Sequence, residues 1–313
     1  RVGHHTLEGR PTGCTVVLTE FGAVATVDVR GAAPGTRETA LLDPVSTVQK
    51  VHALVFSGGS AFGLATADGV MRYLGERQIG HQTRHLNIPI VPAAILYDLG
   101  IGDPTIHPTW ECGYKAAQVA NHGPIQEGSI GVGAGATVGK LGGPERAMRG
   151  GIGTSMLELP NGIRVAALMA VNSIGNVVDP ETGQPLAGVR TTDGSAIADT
   201  SYMLTAKALN TPIAENTTIG VVATNAQLSK SELAIVARMA HDGLARAVRP
   251  AHTPSDGDTI FAIATGKIKT KVSLLRIGAL AADTTAHAIV RGVRAATSLP
   301  GYPSARSLHG GAP

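Results

Sequence analysis

Apolar positions along the chain fall into two periods. In the first half they mostly alternate or run in short blocks, which predicts strands. Cys14–Thr19 and Ala23–Val29 are rich in β-branched residues and read as paired strands, followed by the turn-forming loop GAAPGTRE with Gly31, Pro34 and Gly35. Val51–Phe56 is a short buried strand. It runs into SGGSAFGL (Ser57–Leu64) and then a helix to about Glu76, an order of strand, glycine turn and helix that commonly receives a ligand. Ile88–Leu96 reads as a further strand ending at Tyr97 and Asp98, and Trp110–Asn121 as a helix. Ser155–Leu159 and Ile163–Val171 form a hairpin about Pro160-Asn161-Gly162, the second strand running into Asn172.

Periodicity weakens over Asp179–Asn216, which carries Pro180, Gly183, Pro185, Gly188, Gly194 and Pro212 and reads as a linker. It then sharpens. Thr218–Thr224 is a strand, and Ser229–Arg246 an amphipathic helix with Leu233, Val236, Ala237, Ala240 and Leu244 on one face. Thr259–Thr265 is a strand and Leu274–Arg291 a helix. The alternation of strand and helix makes the last third one α/β layer pair, and no internal repeat is visible.

Composition adds constraints. The 313 residues are long for one compact domain but within reach of a single large α/β unit. Hydrophobic residues reach 43% and charged residues only 16%, so apolar surface is left over for other subunits. Aromatics are 3%, so Ala, Val, Leu and Ile must build the core. A net charge of +3 without a Lys/Arg run argues against nucleic acid; Arg146, Arg149 and Arg164 are scattered singly, as on a solvated surface. Apolar runs are too short to span a bilayer, and RVGHHTLEGR has no apolar signal core, which together suggest a cytoplasmic protein. Cys14 and Cys112 make neither a CxxC pair nor a zinc spacing. A disulfide between them stays open, with reduced thiols the simpler reading.

Chemistry has few places to sit. GSIGVGAGATVGKLGG (Gly128–Gly143) fits the loose dinucleotide pattern at Gly131-x-Gly133-x-x-Ala136, but no buried strand precedes it, and Ala134 breaks the phosphate-loop pattern. The plainer reading is a turn-rich loop lining a pocket, with Lys140 at its end. HTPSDGDT (His252–Thr259) brackets Gly257 with Asp256 and Asp258. That is either an acidic turn or a carboxylate pair able to hold an amine and a hydroxyl; the further ligands of a calcium loop are missing. The eleven histidines form no HExxH set, and Ser57-Gly-Gly-Ser60 is not a nucleophile elbow.

Asn216-Thr217-Thr218-Ile219 stands where linker gives way to strand. It could be a plain strand start. Threonine, however, is a poor nucleophile unless a base adjoins it, and breaking the preceding peptide bond supplies one, an α-amine with a pKa of about 8. Attack of the Thr217 hydroxyl on the Asn216 carbonyl would give an ester, which water hydrolyses.

Together with the TNA turn at Thr224–Ala226, the AHDGLARAVRP helix end, HTPSDGDT, SGGSAFGLATADGV (Ser57–Val70) and RGAAPGTRETALLDP (Arg30–Pro44), these residues resemble one family. It holds the L-aminopeptidase/D-amino-acid esterases and the nylon-oligomer (6-aminohexanoate oligomer) hydrolases, and the resemblance covers nearly the whole chain. It implies a four-layer α/β/β/α sandwich of the self-cleaving N-terminal-nucleophile type. It implies one domain, residues 1–313, cut into an α fragment 1–216 and a β fragment 217–313, assembled as a homo-oligomer, often a tetramer. By position, Thr217 matches the nucleophile, Asp256 and Asp258 the acidic pair orienting it, Lys140 and Asn172 the polar groups near nucleophile and oxyanion, and Tyr97 a pocket tyrosine. Threonine after asparagine is the nylon-oligomer pattern, where the aminopeptidases expose serine after glycine. The function implied is amide hydrolysis through an acyl-enzyme, without metal or organic cofactor, on 6-aminohexanoate oligomers. The alternatives are small amino-acid amides and esters, acyl transfer like that of ornithine acetyltransferase, or a binding protein that kept the fold.

Overall fold

A computed structural model of the chain describes residues 1–205, 216–269 and 272–308. Its principal elements are β1 (Val2–Thr6), β2 (Gly13–Val29), β3 (Lys50–Ser57), α1 (Thr66–Gly75), β4 (Ala93–Ile95), α2 (Trp110–Val119), β5 (Gly151–Glu158), β6 (Arg164–Asn172), β7 (Thr217–Ala226), α3 (Lys230–Ala247), β8 (Thr259–Ile268) and α4 (Leu274–Ala295). One nine-stranded sheet runs β5-β6-β7-β8-β2-β3-β4 and then Thr36–Arg37, with β1 on β2. β7 and β8 are parallel neighbours joined through α3, as the strand and helix periods of the last third predict.

Side-chain alternation sorts this sheet into layers. Along β8, Ile260, Ala262 and Ala264 face α3 and α4, while Phe261 and Ile263 face inward. β7 does the same, with Val222 on the helix side and Ile219 and Val221 inside. On β3, Ala53 and Val55 face α1 and α2, and Leu54 and Phe56 face inward. Three buried cores therefore separate four layers, α3/α4, β5–β8, β2–β4 and α1/α2, an α/β/β/α sandwich. Phe56 and Phe261 meet edge to face across its middle, centroids 5.9 Å apart. Helix α3 begins on a capping box, in which Ser229 accepts from the Glu232 N–H and the Glu232 carboxylate accepts from the Ser229 N–H at 2.8 Å.

Four sequence expectations change. Cys14–Thr19 and Ala23–Val29 are not paired with each other; they are one 17-residue strand. Its register on β3 shifts between Leu18 and Ala23, and Gly22 at φ 77° takes up an outward bulge instead of a reversal. The strand expected over Ile88–Leu96 is reduced to Asn87–Ile88 and Ala93–Ile95, because Pro89 and Pro92 bring no N–H to a ladder. Arg149 is not solvated. Its side chain is buried and donates to the carbonyls of Ala134 and Thr297 and to the Ser129 hydroxyl. Cys14 and Cys112, read as reduced thiols, are joined, because α2 packs on β1 and β2 and brings their Cα atoms to 6.2 Å. None of the described helices is long and apolar enough to cross a membrane.

Phe261 carries the contact between the two β layers. Phe261→Ala is expected to cost about 3–5 kcal/mol in chemical denaturation, whereas Phe21→Ala, at a position 98% exposed, stays within about 0.5 kcal/mol of wild type. Equal effects would refute this account of the core.

Candidate active site

Thr217 opens β7 at the rim of the inner layer. Its side chain shares the face of Ile219 and Val221, and Asn172 of β6 lies directly opposite in the antiparallel register. On its other side the chain meets the acidic turn. Asn216 bridges Asp256, with Asn216 N–H donating to Ser255 O at 3.0 Å and Gly257 N–H to Asn216 O at 2.8 Å. The parallel ladder then lapses. The Thr218 N–H is taken by the Asp258 carboxylate at 2.8 Å and Gly257 O by the Thr259 hydroxyl at 2.9 Å, before strand pairing resumes at Ile219 and Thr259. In this gap the Thr217 hydroxyl lies 2.5 Å from the Asn216 carbonyl oxygen.

Glycine at 257 is a steric requirement. A Cβ there would stand 2.6 Å from Ala33 O and 3.0 Å from Thr217 Oγ1. The loop read as a turn at 31–38 starts as a wall across the acidic segment. Arg30 N–H donates to Asp258 O at 3.0 Å, and Ala33 N–H to Asp256 O at 2.9 Å.

The two carboxylates differ. Asp258 is saturated, since its second oxygen accepts from the His252 N–H at 3.0 Å and from His252 Nδ1 at 2.9 Å. Asp256 accepts from the Thr253 N–H at 2.8 Å through one oxygen, and its Oδ1 has no hydrogen-bond partner among the described residues. Burial, and then the neighbouring charge of Asp258, push the Asp256 carboxyl pKa up. The turn reading of HTPSDGDT is therefore right for its backbone and incomplete for its side chains.

Facing this pair, Lys140 Nζ donates to Asn172 O at 3.0 Å and to Asn172 Oδ1 at 2.9 Å. Thr137 N–H also reaches Asn172 Oδ1 at 3.0 Å, and Asn172 Nδ2 donates to Tyr97 O at 2.8 Å. Tyr97 thus meets the other site residues through its carbonyl, while it also lines a cavity of about 40 Å³ with Lys140, Ile101, Pro144 and Tyr302. Lys140 turns in on Gly139 at φ 74° and is buried. Burial pulls its pKa down to about 7, against the charges of Asp256 and Asp98 that favour the ammonium. A larger cavity of about 430 Å³, lined by aliphatic residues such as Val17, Leu168 and Val221, touches none of these groups.

All seven residues singled out in the sequence thus converge: Thr217, Asn216, Asp256, Asp258, Lys140, Asn172 and Tyr97. Others were missed. His252, grouped with the structural histidines, holds Asp258. Asp98 forms a fully buried pair with Arg10 at 2.9 Å and accepts from Thr12 Oγ1 at 2.6 Å and the Gly59 N–H at 2.8 Å. The glycine turn after β3, read as a place for a ligand, is filled at Gly59 by this carboxylate. Only the adjacency of Asp98 to Tyr97 hinted at it.

Residues 1–306 match the profile of peptidase family S58. An uncharacterized aminopeptidase of Mycobacterium tuberculosis is 42% identical, covering 100% of this chain and 96% of its own length. The 6-aminohexanoate-oligomer endohydrolase of Paenarthrobacter ureafaciens is 28% identical, covering 92% of this chain and 82% of its own. Among solved structures, the L-aminopeptidase D-Ala-esterase/amidase of Ochrobactrum anthropi, described as a variant of the Ntn hydrolase fold, superposes with a TM-score of 0.70 at 19% identity, over 98% of this chain and 90% of that one.

The buried ammonium has a thermodynamic signature. Its folded pKa lies below that of an unfolded lysine, about 10.4, so between about pH 7 and 10 the unfolded chain binds the extra proton and stability rises with pH. In the Thr217→Ala background, unfolding midpoints of the Lys140 protein are expected to climb over that window relative to Lys140→Met and to run parallel below it. A constant difference across the range would show that Lys140 is not held in a desolvated site.

Proposed function

The chain belongs to peptidase family S58, and from that membership we propose that it is an amide hydrolase that cuts itself between Asn216 and Thr217 and works through the new N-terminal threonine. One observation carries the reading: the Thr217 hydroxyl rests against the carbonyl of its own preceding peptide, in a gap of the ladder framed by Asp256, Asp258, Asn172 and Lys140. Cleavage yields fragments 1–216 and 217–313 of one domain. The freed amine then serves Thr217 Oγ as its base in attack on a substrate amide, and water releases the acyl group. Asp256, with an oxygen to spare, orients that amine. Lys140 and Asn172 supply polarity where the oxyanion develops. The working form is a tetramer of such units, needing no cofactor.

The substrate we propose is a linear aliphatic oligoamide, a 6-aminohexanoate oligomer cut internally. Support comes from the Asn-Thr junction, the scarcity of aromatic walls, and the endohydrolase relative. Each buried methylene contributes about 0.8 kcal/mol, which suits a thin polymethylene chain. A second reading, release of small residues from amino-acid amides, is favoured by the aminopeptidase relative at 42% identity and by a cavity beside Lys140 of only about 40 Å³.

Purified protein is expected to show two bands, the smaller starting Thr-Thr-Ile-Gly, and Thr217→Ala one uncut, inactive chain. An active, uncut Thr217→Ala protein would overturn the proposal. Asp256→Asn, which preserves turn propensity, is expected to lower turnover by about 10²-fold or more, and near-normal turnover would return Asp256 to a turn-forming role. Mass spectra of early products decide the substrate. Mixed intermediate lengths from a long oligomer support internal cutting, and brisk cleavage of Ala or Leu p-nitroanilides beside an inert oligomer would leave the aminopeptidase reading.

A further inference from the structure

The hydrogen bond from the Gly257 N–H to Asn216 O touches the atom that must take up negative charge if the chain cuts itself. We infer that the main-chain N–H of Gly257 is the oxyanion donor of the self-cleavage step. The inference rests on the self-cleavage reading above and deepens it.

The geometry is that of a fixed donor. Asp256 O and Gly257 N–H belong to one planar peptide unit and point in opposite directions. The carbonyl end is held by the Ala33 N–H at 2.9 Å, so the N–H end is aimed at Asn216 O, 2.8 Å away. Ala33 precedes Pro34, which confines its backbone to extended conformations and stiffens the group doing the holding. A donor fixed in this way needs no reorganisation when charge appears, and that is the property that makes oxyanion donors effective. The absence of a side chain at 257 lets the peptide lie against Thr217, since a Cβ would come within 3.0 Å of the nucleophilic oxygen.

The chemistry balances. Thr217 Oγ forms a bond to the Asn216 carbonyl carbon, and the π pair of that carbonyl moves onto its oxygen, opposite the Gly257 N–H. As the pair returns, the Asn216–Thr217 C–N bond breaks. The hydroxyl proton ends on the departing nitrogen, leaving Asn216 esterified to Thr217 Oγ and a free amine. Water then hydrolyses the ester, giving the Asn216 carboxylate and restoring the hydroxyl. The same hydrogen bond could instead be no more than the last rung between two strands. A rung supports folding and leaves the cutting rate alone, so the two roles separate experimentally.

The test replaces the Gly257 amide with an ester, by translating the full chain with glycolic acid at position 257. This deletes the N–H and little else. The half-time for appearance of the 217–313 fragment is expected to lengthen about 10²- to 10³-fold, while the same ester in the Thr217→Ala chain still unfolds cooperatively. A rate within a few-fold of the parent chain would overturn the inference. Should the ester chain not fold, a crystal structure of the Thr217→Ala precursor with a Gly257 N to Asn216 O distance beyond about 3.5 Å eliminates the donor. A distance near 3 Å is common to rung and donor, and the Ala33→Pro chain, which loses the N–H that braces the peptide through Asp256 O, then decides: cleavage slowed by about tenfold or more supports the donor, and the parent rate overturns it. If the unaltered chain is not cut at 216–217, the self-cleavage reading itself fails, a result distinct from a cut that ignores the ester.

Discussion

A carboxylate standing in for a strand governs this structure. Between β7 and β8 the parallel ladder should continue through Thr218, but the Thr218 N–H goes to the side chain of Asp258. The substitution keeps a buried donor satisfied, which the interior demands, and lets the two backbones part. Everything at the site depends on that parting. Beyond the last rung, from the Gly257 N–H to Asn216 O, Thr217 can lay its hydroxyl on the same carbonyl, and Asp256 is left with an oxygen uncommitted. Asp258 keeps its place because His252 grips its other oxygen through both main chain and ring, and His252 in turn packs edge-on against His241, whose Nε2 reaches Asp28 O at the end of β2.

The surrounding layers explain why such a gap is tolerated. A lapse at an exposed edge would fray, but this one lies between β6 on one side and residues 30–33 on the other, over a core closed by Ile219, Phe261 and Phe56. The opposite wall is equally tight. Asp98, paired with Arg10 and bound by Thr12 and Gly59, fixes the end of the segment whose Tyr97 carbonyl orients the Asn172 amide. With its oxygen committed to Lys140 and Thr137, that amide has a single orientation.

Much of this was legible in the sequence, for identifiable reasons. Strands β3, β6, β7 and β8 and helices α1 to α4 announce themselves through period and turn residues, because local pattern and tertiary burial agree there. The candidate residues of the acidic turn and of Asn216-Thr217 lie in short segments that can be singled out in place. What escaped depends on residues distant in the chain. Arg10 and Asp98, Cys14 and Cys112, and Arg149 with Thr297 are brought together by folding alone, and nothing beside any of them signals its partner. The misread continuity of β2 has another cause. Glycine at a break between two apolar runs signals a hairpin and a bulge alike, and the pairing of both halves with β3 is what decides.

The placement of Thr217 at the head of β7 has a topological consequence. β7 is flanked along its length, by β6 from the chain before it and by β8 from the chain after it. A single scission at its beginning would therefore create a chain end without creating a loose strand. Neither piece could depart without peeling two ladders, β6 from β7 and β8 from β2, so a covalent linkage there contributes connectivity during folding and becomes redundant afterwards. In a chain so wired, the backbone bond is a scaffold that can be struck once the building stands.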